Sequence, residues 1–528
     1  MKKWKLAMMM LLIFTLSFAL IGCGGDDDES GNGSDEEKIL IFGRGGDSVT
    51  LDPAKATDGE SLKVTANLYE NLVTYGEEDT SINPQLATEW EVSEDGLLFT
   101  FKLREGVKFH DGTDFNAEAV VTNFNLWASD LESYYYYNSQ YGDGNNGTII
   151  EEVKAIDDYT VEFKLTRSQA TFLQNMAMDS FGIASPAAIE KYGEDFKKNP
   201  VGTGPFKFEE WKEEERIVIV KNEDYWKEGY PKLDKVIFKP IADNQARLNA
   251  LFTGDIDLMD GISYTDIAQV TSKSEFQMFE RKSNTIGYLG LTNTREPLDN
   301  KLVRQALNHA VNKQEIADAF YGGYAVPAIN PMPPLINGYH EGVEDYAFDV
   351  EKAKSLLAEA GYGDGFEMEL WAMPVPRPYM PDGRKVAQLL QKQFEEIGVT
   401  AEIVSYEWGT YLDKAKAGEA DAFLLGWTGD NGDADNFLYT LLGKDNIGSN
   451  NYAYYGNEEV NDLLVQAQTE TDTAEREKLY MEAQEIIKDD APWIPLVHAK
   501  PSVAGKENII NYIPHMTGNE SLEKVDFK

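Results

Sequence analysis

Hydrophobic and polar positions alternate in two distinct rhythms along this chain. Leu98-Phe99-Thr100-Phe101-Lys102-Leu103 has a period of two and follows an Asp95-Gly96 turn, the pattern of a hairpin strand. Thr160-Val161-Glu162-Phe163-Lys164-Leu165 repeats that period, and Ile39-Leu40-Ile41-Phe42 opens the first ordered element. Val120, Val121, Phe124 and Trp127 instead form one stripe at helical spacing, and Asn116 stands before them as N-cap.

The second half is richer in helix. Leu302, Val303, Ala306, Leu307, Ala310 and Val311 keep helical spacing. Asp349 predicts the cap of a helix carrying Ala353, Leu356, Leu357 and Ala360, closed by Gly361 at C′. A helix over about Arg384 to Ile397 is stopped by Gly398 and followed by a strand through Ala401-Glu402-Ile403-Val404, which is α/β organisation. Asn457 and Thr473 start two late helices, and Ala491-Pro492 ends the second.

The first 38 residues follow neither rhythm. Lys2, Lys3 and Lys5 precede an uncharged, largely apolar run from Ala7 to Ile21, too short for a membrane span of about 20 residues and suited to a secretory leader. The run ends in Leu20-Ile21-Gly22-Cys23, which resembles the lipobox of bacterial lipoproteins; there the leader is cut before the cysteine and the thiol is acylated. Gly24 to Lys38 is almost wholly Gly, Ser, Asn, Asp and Glu and reads as a flexible tether. No later apolar run is long enough to span a bilayer.

Length and composition narrow the function. The 528 residues are too many for one core, and 42% hydrophobic with 26% charged is a globular mixture. A net charge of −43 repels phosphate backbones and anionic membrane surfaces, so nucleic-acid binding is disfavoured. Cys23 is the one cysteine, so no intrachain disulfide can form, and once acylated it leaves no thiolate metal site and no thiol nucleophile.

Catalytic signatures are missing. The five histidines (His110, His309, His340, His498 and His515) have no metal-ligand spacing, and there is neither a GxSxG elbow nor a Walker A loop. Ser521-Leu522-Glu523-Lys524 matches SxxK only formally. A calcium loop starting at Asn431 fails, because its sixth position is Asn436 and its twelfth Leu442. What remains is a loop rich in Gly, Asp and Trp from Gly426 to Asn436. An aspartate between aromatic walls suits an ammonium ion; an Asx-rich turn between strand and helix accounts for the same residues without a ligand.

Several segments bring a family resemblance. Leu86-Ala87-Thr88-Glu89-Trp90-Glu91-Val92, Arg104-Glu105-Gly106-Val107-Lys108-Phe109-His110-Asp111-Gly112 and Asn199-Pro200-Val201-Gly202-Thr203-Gly204-Pro205-Phe206 resemble the extracellular solute-binding proteins of peptide ABC transporters, family 5. The likeness runs from Ile39 to about His515. Trp371 to Tyr379, Ser405-Tyr406-Glu407-Trp408-Gly409 and Gly426 to Asp433 are similar to the dipeptide-binding members. The resemblance implies that Arg377 pairs with a peptide's carboxylate and Asp430 with its α-ammonium. Trp408 and Trp427 become the aromatic walls, with Tyr379, Tyr406 and Thr428 close by. A guanidinium grips a carboxylate through two parallel hydrogen bonds, which lysine cannot do. Two opposite charges at a fixed separation then select a zwitterion by length, since a longer peptide leaves one of them buried and unpaired. Ala434 stands where the family often has proline, and Ser133 to Gly147 has no close counterpart; its tyrosines, Tyr134 to Tyr137, either reach the cleft or pack on the domain surface, and packing is the expectation.

By resemblance the fold is α/β and two-lobed, periplasmic-binding-protein-like (class II, cluster C), with a subdomain inserted in the first lobe. The expected divisions are a leader over 1–22, acylated Cys23 and tether over 23–38, first lobe over 39–78, and insert over 79–204. First lobe again over 205–285, second lobe over 286–492, and a C-terminal return to the first lobe over 493–528 complete them. The implied function is capture of short peptides, dipeptides foremost, by a monomer anchored to the outer face of the cytoplasmic membrane through the lipid on Cys23. Delivery is to ABC permease subunits and their ATPases, with no catalysis, cofactor, metal or nucleic acid. Rival readings keep the scaffold and change the ligand (longer peptides, glutathione, haem, a nickel chelate), or make the chain a peptide-signal receptor or an anchored peptidase.

Overall fold

A computed structural model of the protein describes residues 37–144, 147–518 and 520–528. The leader, Cys23 and the tether as far as residue 36 lie outside the described residues. From Lys38 onward the chain forms one unit. Among the described residues no helix is long and apolar enough to cross a membrane.

Two large sheets organise that unit. The first has seven strands in the order Phe276–Glu280, Ser502–Lys506, Leu258–Met259, Ile39–Arg44, Lys235–Pro240, Arg216–Lys221 and Phe206–Lys212. The second has six: Ala325–Pro327, Trp493–Ala499, Thr285–Leu291, Ala422–Thr428, Phe366–Trp371 and Val399–Val404. Each is the centre of one lobe. The insert carries its own four-stranded antiparallel sheet, Ala87–Val92, Leu98–Leu103, Thr160–Leu165 and Ile150–Asp157.

Local rules account for these elements. Leu98–Leu103 and Thr160–Leu165 are the strands that period two predicts, and their inward positions Phe99, Phe101, Leu103, Val161, Phe163 and Leu165 are buried. Asn116 caps helix Ala117–Ser129 by accepting from the Ala119 amide, and Asp349 caps Val350–Glu359 through the Lys352 amide. Gly361 and Gly398 follow their helices with φ of +90° and +83°, a backbone that costs glycine nothing. Helix Thr473–Asp490 starts as expected, but Asp472 is its cap.

The tyrosine-rich segment forms a helix, Tyr135–Tyr141. Tyr134, Tyr137 and Tyr141 are buried among Phe124, Trp127, Phe172 and Phe181, so packing is the role of three of these tyrosines. Tyr135 is exposed and Tyr136 half-buried.

The expected boundary at residue 493 is corrected. Strand Trp493–Ala499 pairs with Thr285–Leu291 and belongs to the second sheet; the chain crosses to the first lobe at Lys500-Pro501. A buried apolar strand reads the same whichever sheet receives it, because partner choice is a long-range property. The boundary at 78/79 likewise falls inside a hairpin, since Val73–Tyr75 pairs with Ile82–Pro84. The other crossing, through 281–284, lies beside the first, with the Arg281 amide donating to the Pro501 carbonyl at 3.1 Å and Lys500 pairing with Glu280 at 2.9 Å. Two short adjacent connections are the construction of a hinge.

Candidate functional site

In the second lobe, Phe366–Trp371 runs parallel to both Val399–Val404 and Ala422–Thr428. Their carboxyl ends therefore share one edge, the edge at which open α/β sheets bind ligands. All seven candidate residues are at that edge. Arg377 and Tyr379 follow the first strand, Tyr406 and Trp408 the second; Trp427 and Thr428 end the third and Asp430 follows it.

Arg377 sits in a tight turn closed by reciprocal backbone bonds: its amide donates to the Met380 carbonyl at 3.0 Å, and the Met380 amide returns one at 2.9 Å. The guanidinium carbon lies 5.6 Å from the centre of the Trp408 ring, within cation–π range. Trp408 opens helix Trp408–Lys416, where Glu407 caps by accepting from the Gly409 and Thr410 amides, and its ring stacks on Tyr411 at 5.7 Å. Tyr379 is only 8% exposed, so it supports Arg377 from beneath. Burial raises its phenol, while the adjoining Arg377 opposes that shift.

Asp430 is set by a different residue. Asn436, in helix Asp435–Leu442, accepts from the Trp427 indole N–H at 2.9 Å and from the Asp430 amide at 3.0 Å. Its own amide donates to the Asp430 carboxylate at 3.2 Å. Burial raises the Asp430 carboxyl, and that Asn436 bond works against the shift. The Asx-turn reading of the loop also holds, since Asn431 accepts from the Asp433 amide at 3.1 Å and Asp433 from the Asp435 amide at 2.9 Å.

Charges along the edge are matched unequally. Asp433 is gripped by Arg476 through bonds of 2.7 and 2.8 Å. Among the described residues no carboxylate pairs with Arg377, and no lysine or arginine with Asp430. Arg377 and Asp430 are thus a cation and an anion of this edge without protein counter-ions among the described residues. None of the described residues form a group of three or more His, Cys, Asp or Glu side chains able to hold a metal ion.

The seven residues do not form one cluster. Arg377, Tyr379 and Trp408 are in mutual contact or joined through Arg377, and Trp427 and Asp430 are joined through Asn436. Tyr406 packs edge-on against Trp371 at 4.8 Å, and Thr428 is exposed at its strand end.

Sequence reasoning assigned no role to Asn436 and favoured packing over the cleft for Tyr136. Asn436 lies six residues beyond Asp430, and only the turn between them makes it a neighbour. Tyr136 of the insert lies in the field of Asp430: its phenol is raised by burial first and by the Asp430 charge next. The lobes also meet beside this loop, where the Thr80 hydroxyl donates to the Gly432 carbonyl at 2.9 Å and Asn431 donates to Asn175 at 2.8 Å.

Known proteins share this frame. The sequence profile of the bacterial extracellular solute-binding proteins, family 5 (middle region), matches residues 81–449. A "Heme-binding protein A" of Haemophilus influenzae is 39% identical over 470 residues, covering 85% of this chain and 84% of that protein. A "Dipeptide-binding protein" of Escherichia coli strain K12 is 37% identical over 511 residues, 93% of this chain and 95% of its own length. The crystal structure of a dipeptide-binding protein from Pseudoalteromonas sp. SM9913 in complex with Met-Leu is 30% identical and superposes with a TM-score of 0.76, covering 93% of this chain and all of that one. The family and fold that the motifs implied are borne out: the chain belongs to the bacterial extracellular solute-binding proteins, family 5, and is a binding protein of the transport class rather than an enzyme.

Proposed function

We propose that this protein captures short peptides, dipeptides foremost, by their charged ends and hands them to the permease of an ABC importer. The observation that carries the reading is the pair of unmatched charges, Arg377 and Asp430, on loops from one sheet edge. Arg377 meets the peptide carboxylate as a two-toothed hydrogen-bond donor, with Trp408 covering its outer face. Asp430, half-buried and oriented by Asn436, meets the α-ammonium between Trp427 and the insert. Bringing an ammonium to Asp430 stabilises a carboxylate that burial otherwise disfavours, so the site gains most from a ligand that carries the missing charge. The dipeptide-binding relatives support the ligand class.

Closing the lobes about the paired connections at 281–284 and 500–501 would bury the peptide and present the loaded form to the permease. Micromolar affinity, about −8 kcal/mol, suits capture followed by release. Acylation at Cys23 would hold the protein at the outer face of the cytoplasmic membrane; labelled palmitate incorporated by the natural chain and lost in Cys23→Ser tests that part.

The deciding experiment is calorimetric titration with a series from single amino acids to pentapeptides, with an N-acetylated dipeptide, haem and an Arg377→Ala variant alongside. Micromolar binding confined to dipeptides, and lost on acetylation and in the variant, supports the reading. Binding confined to longer peptides keeps the transport role and removes the length gate. Haem binding without peptide binding overturns the ligand class.

A further inference from the structure

The Arg377 turn is held from outside by two tyrosines on different lobes. Its own reciprocal bonds between Arg377 and Met380 leave the carbonyls of the two central residues, Pro378 and Tyr379, pointing away from the turn. The hydroxyl of Tyr321, fully buried in the second lobe, donates to the Tyr379 carbonyl at 2.8 Å. The hydroxyl of Tyr264 donates to the Pro378 carbonyl at 3.2 Å. Tyr264 follows strand Leu258–Met259 of the first-lobe sheet, so this second bond reaches across from the other lobe.

The surroundings make Tyr264 a junction between the lobes. Its ring is half-buried, packs against the Leu248–Leu251–Ile256 cluster of the first lobe, and also borders the main core of the second. It meets the Tyr321 ring at 5.3 Å and 54°. Gly322, the left-handed residue closing helix Lys313–Tyr321, brings the second-lobe backbone so near that a β-carbon there would lie 3.0 Å from the Tyr264 carbonyl.

We propose that Tyr264 is a positioning residue for the carboxylate grip, holding from the first lobe the turn that aims Arg377. The proposal rests on the reading of Arg377 as the group that meets the peptide carboxylate. An arginine side chain is long and flexible, and two parallel hydrogen bonds to a carboxylate require its base to be fixed. Pro376 and Pro378 limit the backbone torsions of the turn but leave its tilt free. Two hydroxyls on its two outward carbonyls set that tilt. Because donor and acceptor belong to different lobes, the aim of Arg377 depends on where the first lobe stands, and grip and lobe position become coupled.

Tyr264→Phe removes the hydroxyl and keeps the ring on Tyr321. The purified protein and its Tyr264→Phe, Arg377→Ala and doubly substituted variants are titrated with a dipeptide and with the same dipeptide amidated at its C-terminus. The expected result is a roughly three- to tenfold loss for the free acid in Tyr264→Phe, no loss for the amide, an unchanged unfolding midpoint, and no further loss when Arg377 is already alanine. Equal weakening of acid and amide, or wild-type affinity in Tyr264→Phe while Arg377→Ala is impaired, overturns the proposal alone. Wild-type affinity in Arg377→Ala overturns the reading beneath it as well.

Discussion

Gly426 lies directly beneath the ring of Tyr379: a β-carbon at residue 426 would come within 2.2 Å of the tyrosine Cδ2. Gly287, its register partner on the neighbouring strand, faces the Tyr379 backbone as closely, with 2.4 Å to the carbonyl oxygen. Two glycines side by side make a notch in the second-lobe sheet, and Tyr379 fills it. The Arg377 turn is thereby fastened to the sheet.

Gly426→Ala should therefore displace Tyr379 or the strand, since the Ile286 carbonyl at 2.5 Å closes the other direction. A loss of about 1–3 kcal/mol in stability is expected from this overpacking, together with weakened peptide binding. Denaturant unfolding and calorimetry read the two effects; an unperturbed variant would mean that the notch is not needed.

Asn436 serves Trp427 and Asp430 at once. Asn436→Ala leaves the indole N–H and the Asp430 amide without their acceptor and the carboxylate without its donor. Peptide affinity should fall about tenfold or more, accompanied by a shift in tryptophan fluorescence as the indole loses its partner. Full affinity in this variant would separate the Asp430 loop from recognition.

The Asp433–Arg476 pair is structural. Its side chains are 6% and 12% exposed, and the guanidinium spans both carboxylate oxygens. Arg476→Met should destabilise the protein by about 3–5 kcal/mol, because it strands a buried carboxylate, and the Asp430 loop should lose its order with it. Replacing both partners by apolar residues should restore most of the stability while binding stays impaired. Thermal unfolding of the single and double variants distinguishes these outcomes.

Stability should fall as pH rises from about 5 to 8. Burial raises the Asp52 carboxyl to about 6 and those of Glu70, Asp179 and Asp435 to about 7. Each holds a proton in the folded protein at a pH where the unfolded chain has lost it. The stability they contribute is complete below their unfolded values near 4 and disappears as pH passes through 6–7. Asp260 acts in the opposite sense. Burial works against its ionisation, but Lys63 and Arg281 hold its carboxyl well below the usual range. Its contribution is present above the unfolded value and lost only in more acidic solution. His110 and His498, pushed down to about 4 by burial, oppose the acids below about pH 6.5, where the unfolded chain charges its histidines and the folded protein does not. The four raised carboxyls outweigh these two, so the melting temperature should be lower at pH 8 than at pH 5, and Asp435→Asn should flatten part of that slope. A melting temperature that rises over this interval would contradict the assignment.

Much of this protein was legible in the chain because its signals are local. The strands Leu98–Leu103 and Thr160–Leu165 have period-two alternation, and Asn116, Asp349 and Asn457 are caps whose amide donors lie three residues on. The family, and with it the two-lobed frame, could be read from runs such as Asn199 to Phe206. Arg377, Trp408 and Asp430 were named because each stands inside a short distinctive run.

Tertiary structure decided which of these residues meet, and through what. Trp493–Ala499 is buried at every position and, His498 apart, apolar, so it would satisfy either sheet; its pairing with Thr285–Leu291 comes from elements some 200 residues away in sequence. Asn436 became the partner of Asp430 only after the intervening turn closed, Tyr136 faced it only after the insert folded, and Tyr264 reached Pro378 from the other lobe. Periodicity and capping are written within a few residues, because backbone geometry repeats over that distance. Mutual orientation of loops from different strands and lobes depends on packing between distant segments, and no local pattern encodes it.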